Sequence, residues 1–357
     1  MSRERQAQGQ SETDEPDRFE GAPHPREQFA FFGHEEGEAA FLEGLRNGRL
    51  HHAWLIGGPQ GIGKATLAYR VARTILDPTR SGGAESLDVA PQANVARQII
   101  ALSHPNLAVL RRAPSTDKKA ASATIPVDAV RRALATFAST AADGGYRVCI
   151  VDSAEDLTIA SANALLKVIE EPPPRSLFLI VSHAPQRVLP TIRSRCRRLL
   201  LRPLEDAAVK AAIASLGAPW ADMPADVVDQ ALRLGEGSVR RTLELLDADK
   251  VAFIGQVTSL LDRLPRAETR QVLSLAEALA RKDADESYDL MLETVQRWVT
   301  TQLHAKASLG PQRLAPLVEV CEKIARSARE IDVFNLDRRP FILMLFDDLA
   351  DAVRRAA

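Results

Sequence analysis

The sequence predicts an α/β fold with a parallel sheet covered by helices, followed by parts that are entirely helical. Two patterns predict it. Apolar, β-rich strands alternate with amphipathic helices up to about residue 202, and no convincing strand follows from Val251 onward. In addition, a glycine-rich turn at Gly58–Lys64 separates the first strand from the next helix, which is the position of a phosphate-binding loop.

The strands and helices of the α/β part are predicted from the periodicity of apolar residues and from the residues that end each element. Short, continuous apolar runs predict strands buried on both faces, and apolar residues at helical spacing predict helices. Pro172 stops one helix because a proline cannot continue it. In chain order, we predict helix Glu38–Leu45, strand His52–Ile56, helix Ala65–Leu76, helix Ile125–Phe137, strand Tyr146–Asp152, helix Ala160–Glu171, strand Leu177–Ser182 and strand Arg198–Leu201.

Four parts are predicted along the chain. Residues 1–25 contain almost no apolar side chains and should form a disordered tail. An α/β domain of residues 26–202 follows, in which the polar stretch Asp77–Asn94 is interpreted as a surface excursion. A small helical domain of residues 203–249 and a helical domain of residues 250–357 complete the chain.

Composition argues against several classes of function. The 46 basic and 47 acidic side chains give a net charge of -1, which does not suit a generally basic protein that coats DNA. The apolar runs are too short to cross a bilayer, and the polar N terminus does not resemble a signal sequence. Cys149, Cys196 and Cys321 are too widely separated for a disulfide framework or a metal knuckle. We therefore expect a cytoplasmic protein without a membrane partner.

Gly58, Gly61 and Gly63 are suited to bind phosphate. Because they lack side chains, backbone N–H groups can converge on phosphate oxygens, and the following helix directs its positive end at the same anion. Lys64 would add a point charge between the outer phosphates. The alternative is an ordinary glycine-rich turn with an exposed lysine, which the complete glycine pattern between strand and helix disfavours.

The residues that would bind Mg²⁺ and activate water are incomplete. Ala65 stands where a hydroxyl normally coordinates the metal, and Thr66 comes one residue too late, about a quarter-turn away on a helix. Asp152, at the end of an apolar strand, could still order a metal through water. Ser153 follows it, and a serine cannot polarise an attacking water as a carboxylate would.

Two further carboxylates, Glu155 and Asp156, lie close by in the sequence. Because they follow Ser153 by two and three residues, we do not expect them to reach the same point. The pattern therefore leaves binding of ATP and Mg²⁺ open and predicts that hydrolysis is weak or absent.

A run of arginines surrounds Cys196. Its members are Arg193, Arg195, Arg197 and Arg198. Such a run is typical of a solvated basic turn, and that interpretation is the alternative. However, the run follows a buried strand, and a planar, permanently charged guanidinium at a subunit edge is suited to a neighbour's transferring phosphate.

Four stretches together resemble the clamp loaders of bacterial replication, within the AAA+ superfamily. They are His51–Leu55, Gly58–Lys64, Ser161–Pro173 with its Glu-Glu-Pro-Pro end, and the Ser-Arg-Cys trio Ser194–Cys196. The motifs that carry the resemblance lie within about residues 32–246. The residues after 246 contain no such motif and fit the family's collar domain only because they are predicted to be helical. The missing hydroxyl and the missing second acid resemble the delta-prime subunits of DNA polymerase III rather than the gamma/tau motor subunits.

This resemblance implies roles for particular residues. Arg195 would be an arginine finger that acts in trans on an adjacent gamma/tau ATP site. Ser182 occupies the sensor-1 position, and Arg240, in Gly237–Arg240, the sensor-2 position, where it would contact phosphate. The rest of this candidate ATP site, which we expect to be degenerate, consists of Gly58, Gly61, Gly63, Lys64 and Asp152.

The family also implies partners and domains. A protein of this kind closes the clamp-loader pentamer, contacts gamma/tau and delta, and meets the beta sliding clamp and primed DNA through the complex. Residues 203–249 would form a lid and residues 250–357 a collar. Many relatives carry a four-cysteine zinc module after the loop helix, but Thr74–His104 contains no cysteine, so we predict no zinc and no other metal site.

Three functions stay open at this point. The first is a largely non-hydrolytic stator, a component of the DNA-directed DNA polymerase III holoenzyme (a nucleotidyltransferase complex) that has no polymerase active site of its own. The second is an active clamp-loader ATPase motor of the gamma/tau type, against which Ala65 and Ser153 argue. The third is an adaptor of similar fold outside replication, such as a helicase loader, against which the Ser-Arg-Cys trio argues.

Overall fold

The computed structural model describes residues 15, 17–80, 85–113, 124–138, 145–281, 284–307, 310–334 and 336–356. The chain divides into two compact units, Met1–Leu246 and Asp247–Ala357. The predicted α/β and lid domains lie almost entirely in the first unit, and the predicted collar lies in the second. The boundary at residue 202 stays a prediction.

The first unit is built on a parallel sheet. Its strands are β1 (Ala53–Gly57), β2 (Leu107–Arg111), β3 (Arg147–Asp152), β4 (Ser176–Ser182) and β5 (Arg197–Leu200). They pair in the order β2-β3-β4-β1-β5, and the register places Leu55 of β1 opposite Ile180 of β4 and Arg198 of β5. Since all pairings are parallel, the carboxyl ends of the strands share one edge of the sheet and the amino ends share the other.

Helices cover both faces of this sheet. In chain order they are α1 (Glu35–Arg46), α2 (Lys64–Leu76), α3 (Asn94–Ile100), α4 (Val127–Ala138), α5 (Ile159–Glu170), α6 (Pro190–Arg193), α7 (Asp206–Ser215), α8 (Ala225–Gly235) and α9 (Val239–Glu244). Side chains alternate along β1, so Trp54 and Ile56 join one core with Leu67 of α2, whereas Leu55 joins the other core with Leu165 of α5. Strand β1 is therefore buried on both faces.

The predicted fold class, a parallel sheet covered by helices and followed by helical parts, is confirmed. The predicted strands and helices of the sheet part are all present, with small shifts at their ends. The sequence pattern does not predict α3, β2 or the four-residue helix α6. Strand β2 has an apolar run, Leu107–Leu110, but no neighbouring motif marks it as a strand, and at the edge of the sheet only Leu110 is buried. Within the predicted surface excursion, Leu87 and Val89 are buried in the core.

Part of the predicted disordered tail is ordered. Residues 1–14 and 16 lie outside the described part of the chain, but residues 17–25 have a defined conformation. Asp17 forms an ion pair with Arg111 at 2.8 Å, across 94 residues of sequence. The expectation of disorder does not hold for this stretch, because polar side chains can order a segment when their partners are supplied by a distant strand.

In the described residues of the second unit, all regular secondary structure is helical. Its helices are α10 (Ala248–Asp262), α11 (Thr269–Leu279), α12 (Asp285–Ala305), α13 (Pro311–Phe334) and α14 (Arg338–Arg355). They share one core, whose fully buried members include Leu261, Leu275, Val295, Leu317, Ile342 and Leu349. Across the described ranges of both units, no helix has the length and apolar character needed to cross a membrane.

Candidate nucleotide-binding site

The turn between β1 and α2 has the backbone of a phosphate-binding loop. Gly58, Gly61 and Gly63 have φ angles of 146, 75 and 95°. Residues other than glycine rarely adopt such angles. Gly63 directly precedes Lys64, the first residue of α2. The positive end of α2 and the N–H groups of the loop therefore point to the same region.

A cavity of about 320 Å³ opens beside this loop. Its lining combines the loop, the carboxyl end of β3, lid helix α9 and residues near the N terminus. The predicted site residues that line it are Gly61, Gly63, Lys64, Asp152 and Arg240. Two further predicted residues adjoin each other at the carboxyl ends of β1 and β4, where Gly58 N donates a hydrogen bond to the Ser182 carbonyl oxygen at 3.3 Å. The fold thus gathers seven of the eight predicted residues at one edge of the sheet.

Lys64 is buried, with 3% of its surface exposed, and its Nζ donates a hydrogen bond to the Pro59 carbonyl oxygen. Burial lowers the pKa of Lys64 to about 8, although the carboxylates of Asp152 and Glu155 favour the charged form. An anion bound in the loop would supply the opposite charge that a buried ammonium needs. The loop and this lysine therefore fit a phosphate group.

The residues that would hold a metal beside that phosphate fit less well. Ala65 lines the cavity and presents a methyl group where a metal-binding oxygen would be needed. Burial raises the pKa of Asp152 to about 7, and the carboxylate of Asp17 adds to this rise while Lys64 opposes it. In the described part of the chain, no group of three His, Cys, Asp or Glu side chains is placed to hold a metal ion.

Glu155 and Asp156, the carboxylates that we expected to be out of reach, both line the cavity. A short 3₁₀ turn after β3 brings them there. One oxygen of Glu155 accepts hydrogen bonds from the Ser182 hydroxyl and from the N–H groups of His183 and Ala184, at 3.0 and 2.8 Å for the two N–H groups. Burial would raise the pKa of Glu155, but these bonds outweigh it and lower the pKa. The hydroxyl of Ser182, the predicted sensor-1 residue, is thus bonded to the Glu155 carboxylate.

Lid helix α9 rests on the phosphate loop. Ser238, at its N-terminal end, donates a hydrogen bond from its hydroxyl to the Gln60 carbonyl oxygen at 2.8 Å. A β-carbon at Gly61 would lie under 3.0 Å from both Ser238 Oγ and Arg240 Cβ, so only glycine permits this approach. Arg240 is 37% exposed and forms an ion pair with Glu244 at 3.1 Å. The sensor-2 candidate is therefore held at the mouth of the cavity.

Residues 17–27, which we call the N-terminal strap, close another side of the cavity. Asp17 and Phe19 line it, although sequence reasoning had placed both in the disordered tail. The ring of Phe19 packs edge-on against Trp220, with centroids 5.8 Å apart, and the Arg240 guanidinium lies 5.7 Å from the Phe19 centroid. A single aromatic side chain in a polar stretch was the only local signal for this contact.

Arg195 lies at the opposite edge of the sheet. It follows α6 and precedes β5, so it is close to the amino ends of the strands, and it is not among the residues that line the cavity. Its Nη2 forms an ion pair with Glu170 Oε1 at 2.8 Å, and its Nη1 donates a hydrogen bond to the Thr191 carbonyl oxygen at 3.1 Å. Both side chains of the ion pair are 41% exposed. Arg195 was predictable from its motif, whereas its pairing with Glu170 was not.

These features define the class of protein. A phosphate loop follows β1 of a parallel sheet, an acidic residue ends β3, a polar residue ends β4, and a helical lid places an arginine at the cavity. This is the arrangement of a P-loop protein, in which a glycine-rich loop joins a parallel strand to the helix that follows it.

Comparisons with known proteins identify the family. The family model described as DNA polymerase III, delta subunit, matches residues 33–205. The DNA polymerase III subunit delta' of Yersinia pestis is 31% identical over 283 residues, which are 78% of this chain and 78% of that protein. The chain therefore belongs to the DNA polymerase III delta' family of clamp-loader subunits.

Other relatives match over shorter stretches. The subunit delta' of Pseudomonas aeruginosa is 35% identical over 52% of this chain, and the match spans 53% of that protein. The gamma/tau subunit of Mycobacterium tuberculosis is 33% identical over 60% of this chain, and the match spans 36% of that protein. Among solved structures, a gamma subunit-related protein of Thermotoga maritima aligns with 89% of this chain and 100% of its own at 17% identity, with a TM-score of only 0.38.

Proposed function

We propose that this chain is a delta'-type subunit of the clamp loader and helps to load the sliding clamp onto primed DNA during chromosome replication. It hydrolyses little or no ATP itself and supplies Arg195 in trans to the ATP site of a neighbouring subunit. Its direct partners are gamma/tau and delta, and it meets the beta clamp and primed DNA through the complex. Residues 250–357 serve as its collar in the oligomer.

The observation that carries this proposal is the position of Arg195. Its strand, β5, runs parallel to β1, and the phosphate loop begins where β1 ends. Strands advance about 3.3 Å per residue, so the four residues of β5 put roughly 13 Å between this arginine's edge and the edge of the loop. A half-exposed guanidinium at that edge lies outside the chain's own cavity, where a phosphate on a partner could meet it.

The cavity supports the non-hydrolytic part of the proposal. Ala65 supplies no oxygen to a metal, and the Ser153 hydroxyl donates a hydrogen bond to Asp156 at 3.1 Å rather than serving as a base. Glu155 is charged but bonded to Ser182 and to neighbouring backbone. The glycine loop and Lys64 favour retained binding of ATP. The phosphates of bound ATP would compensate the positive charge of this lysine.

The test uses the assembled clamp loader with Arg195→Ala in this chain alone. Clamp- and primed-DNA-stimulated ATP hydrolysis should fall at the site that the arginine serves, by about three orders of magnitude or more. Arg198→Ala is the matched control because Arg198 is another exposed arginine, three residues farther along. Assembly must be measured first, by gel filtration of each complex.

Normal turnover in a fully assembled Arg195→Ala complex would contradict the trans-acting role and leave only a scaffold. An equal loss with Arg198→Ala would mean that general positive charge on this edge is responsible. Loss in the Arg195 variant alone would support the proposal.

A second candidate, the gamma/tau-type motor, is favoured by one observation: Lys64 and the charged Glu155 share the cavity. If Glu155 were the base, the isolated chain would hydrolyse ATP, and both Lys64→Ala and Glu155→Gln would abolish this hydrolysis. We expect no hydrolysis above that of the Lys64→Ala variant.

A further inference from the structure

We propose that Glu170 is a positioning residue for Arg195: it holds the guanidinium in the orientation in which a partner's phosphate meets it. This inference rests on the proposed function of Arg195. Glu170 belongs to the Glu-Glu-Pro-Pro motif and Arg195 to the Ser-Arg-Cys motif, and the two residues are 25 positions apart in the sequence.

The guanidinium of Arg195 is held from two directions. Glu170, the last residue of α5, contacts Nη2 at 2.8 Å. Thr191 and Ser194 hold Nη1 through a carbonyl oxygen at 3.1 Å and a hydroxyl at 3.3 Å. These contacts leave part of the guanidinium's donor set, which has five N–H groups, for another acceptor. Since an unrestrained arginine side chain has about 2 kcal/mol of rotamer entropy, such contacts reduce what must be lost when a phosphate binds.

The C-terminal end of α5 is a firm support for this contact. The helix stops at Glu170 because prolines follow at 172–174. One residue earlier, the His52 ring donates a hydrogen bond to the Ile169 carbonyl oxygen at 3.0 Å, which ties the end of α5 to the chain just before β1. A cation is also favoured at a helix C terminus, so Arg195 is attracted by the helix as well as by the carboxylate.

The exposure of this ion pair argues against a large contribution to the stability of the fold, and so favours a positioning role. Both side chains are 41% exposed, and exposed ion pairs contribute about 0.2 to 1 kcal/mol or nothing. Removing the Glu170 charge should therefore hardly change folding. It should, however, free the arginine to adopt orientations that do not meet a partner's phosphate.

Glu171 provides a matched control. It is the neighbouring carboxylate, it is exposed, and it precedes the same prolines, whereas the ion pair with Arg195 is made by Glu170. Glu170→Gln and Glu171→Gln thus remove the same charge from adjacent positions. Each variant is placed in the assembled clamp loader, and clamp- and primed-DNA-stimulated ATP turnover is measured.

We expect Glu170→Gln to lower turnover at the affected site by about two- to fivefold, the range of an exposed ion pair. Glu171→Gln should leave it unchanged, and the thermal unfolding of all variants should match that of the parent chain. The decisive measurement adds Glu170→Gln to Arg195→Ala. If Glu170 acts through Arg195, the double variant loses no more than Arg195→Ala alone.

The outcomes separate this inference from the function on which it rests. No effect of Arg195→Ala would remove the proposed finger and the positioning role together. An effect of Arg195→Ala with normal or raised turnover in Glu170→Gln would overturn the positioning role alone. A further loss in the double variant would also overturn it, since Glu170 would then act by another route.

Discussion

The two edges of the sheet in the first unit differ in what they retain. At the carboxyl edge, the glycine loop and a buried Lys64 are present, but Ala65 and Ser153 replace the groups that would bind metal and activate water. At the amino edge, Arg195 is exposed and held by Glu170. One edge has the features of a phosphate site without its hydrolytic groups, and the other has a cationic group without a phosphate site.

Under the proposed function, this difference separates the loop that binds a phosphate from the group that acts on a partner's phosphate. The two edges are joined by short, rigid strands and share no side chain, so residues at the loop can change without disturbing Arg195. A chain can therefore lose its own hydrolysis and keep the group that it offers to a neighbour. The substitutions below test this independence, beginning with the largest expected effect.

Among these substitutions, Lys64→Met should have the largest effect, and we expect that effect to be confined to the carboxyl edge of the sheet. Loss of its charged hydrogen bonds should weaken ATP binding by about ten- to a hundredfold. Burial lowers the pKa of Lys64 to about 8 in the folded chain. The parent chain therefore loses stability as the pH falls below the unfolded-state pKa of this lysine and toward 8. The variant should therefore be more stable by about 2 to 3 kcal/mol at pH 7, with a difference that shrinks toward pH 10.

Fluorescent-ATP titration and urea unfolding measure the two effects of Lys64→Met, and exposed Lys210→Met is the control. Partner turnover in the assembled loader should not change. A loss there as large as that of Arg195→Ala would break the separation between the two edges.

Gly61→Ala should damage the loop and the lid together. The residue has a φ of 75°, and an added β-carbon would lie under 3.0 Å from two side-chain atoms of the lid. We expect the unfolding free energy of the first unit to fall by about 2 kcal/mol or more. Gly48→Ala separates the two causes, because Gly48 has a φ of 61° but nothing within 4 Å of its β-carbon position. Equal losses in both variants would show that the contact with the lid contributes nothing.

Asp17→Asn should loosen the N-terminal strap. Burial alone would raise the pKa of Asp17, but the hydrogen bond with His24 and the charge of Arg111 outweigh it and lower the pKa to about 2. The carboxylate therefore stabilises the fold above its unfolded-state pKa, and this stabilisation is lost as the pH falls through 2. At pH 7 the variant should lose about 2 kcal/mol of unfolding free energy.

The pH dependence of unfolding tests the Asp17 prediction. The difference between Asp17→Asn and the parent should close as the pH falls from 4 to 2, and exposed Glu20→Gln should show no difference at any pH. A constant difference across this range would mean that the carboxylate charge is not what holds the strap.

Ala65→Ser should produce the smallest effect and the most direct test of the incomplete metal site. The new hydroxyl would stand at the cavity wall, where Mg²⁺ bound to ATP could use it as a ligand. We expect Mg²⁺ to increase the affinity for ATP by about three- to tenfold more in this variant than in the parent. Titrations with Mg²⁺ and with EDTA measure this, and Thr66→Ala should leave the Mg²⁺ dependence unchanged. No gain in Ala65→Ser would show that Ala65 is not the limiting residue.

Features with a local pattern were predictable from the sequence. Strands β1, β3 and β4 have continuous apolar runs, and the glycines of the loop have a spacing that few other structures need. Helix α5 was bounded by the prolines that follow it. The loop and the missing groups at Ala65 and Ser153 were therefore located without any knowledge of long-range contacts.

Features that depend on distant partners were not predictable. The strap is ordered by Arg111, which ends an edge strand 94 residues away from Asp17 in the sequence. Glu155 reaches Ser182 because a 3₁₀ turn, too short to leave a periodic signal, redirects the chain after β3. Each of these contacts joins segments whose proximity is set by strand pairing.

The sequence by itself determined the chemistry of this protein: the phosphate loop, the absent hydroxyl at Ala65, the serine at 153 and the arginine at 195. Only the tertiary structure decided where each group acts. Because all strands are parallel, the loop and Arg195 lie at opposite edges of one sheet, and Glu170 at the end of α5 comes within 2.8 Å of that arginine. The sequence states directly which residue stands at each position. The edge of the sheet at which that residue lies follows from strand order and strand direction, and no short stretch of sequence contains this information.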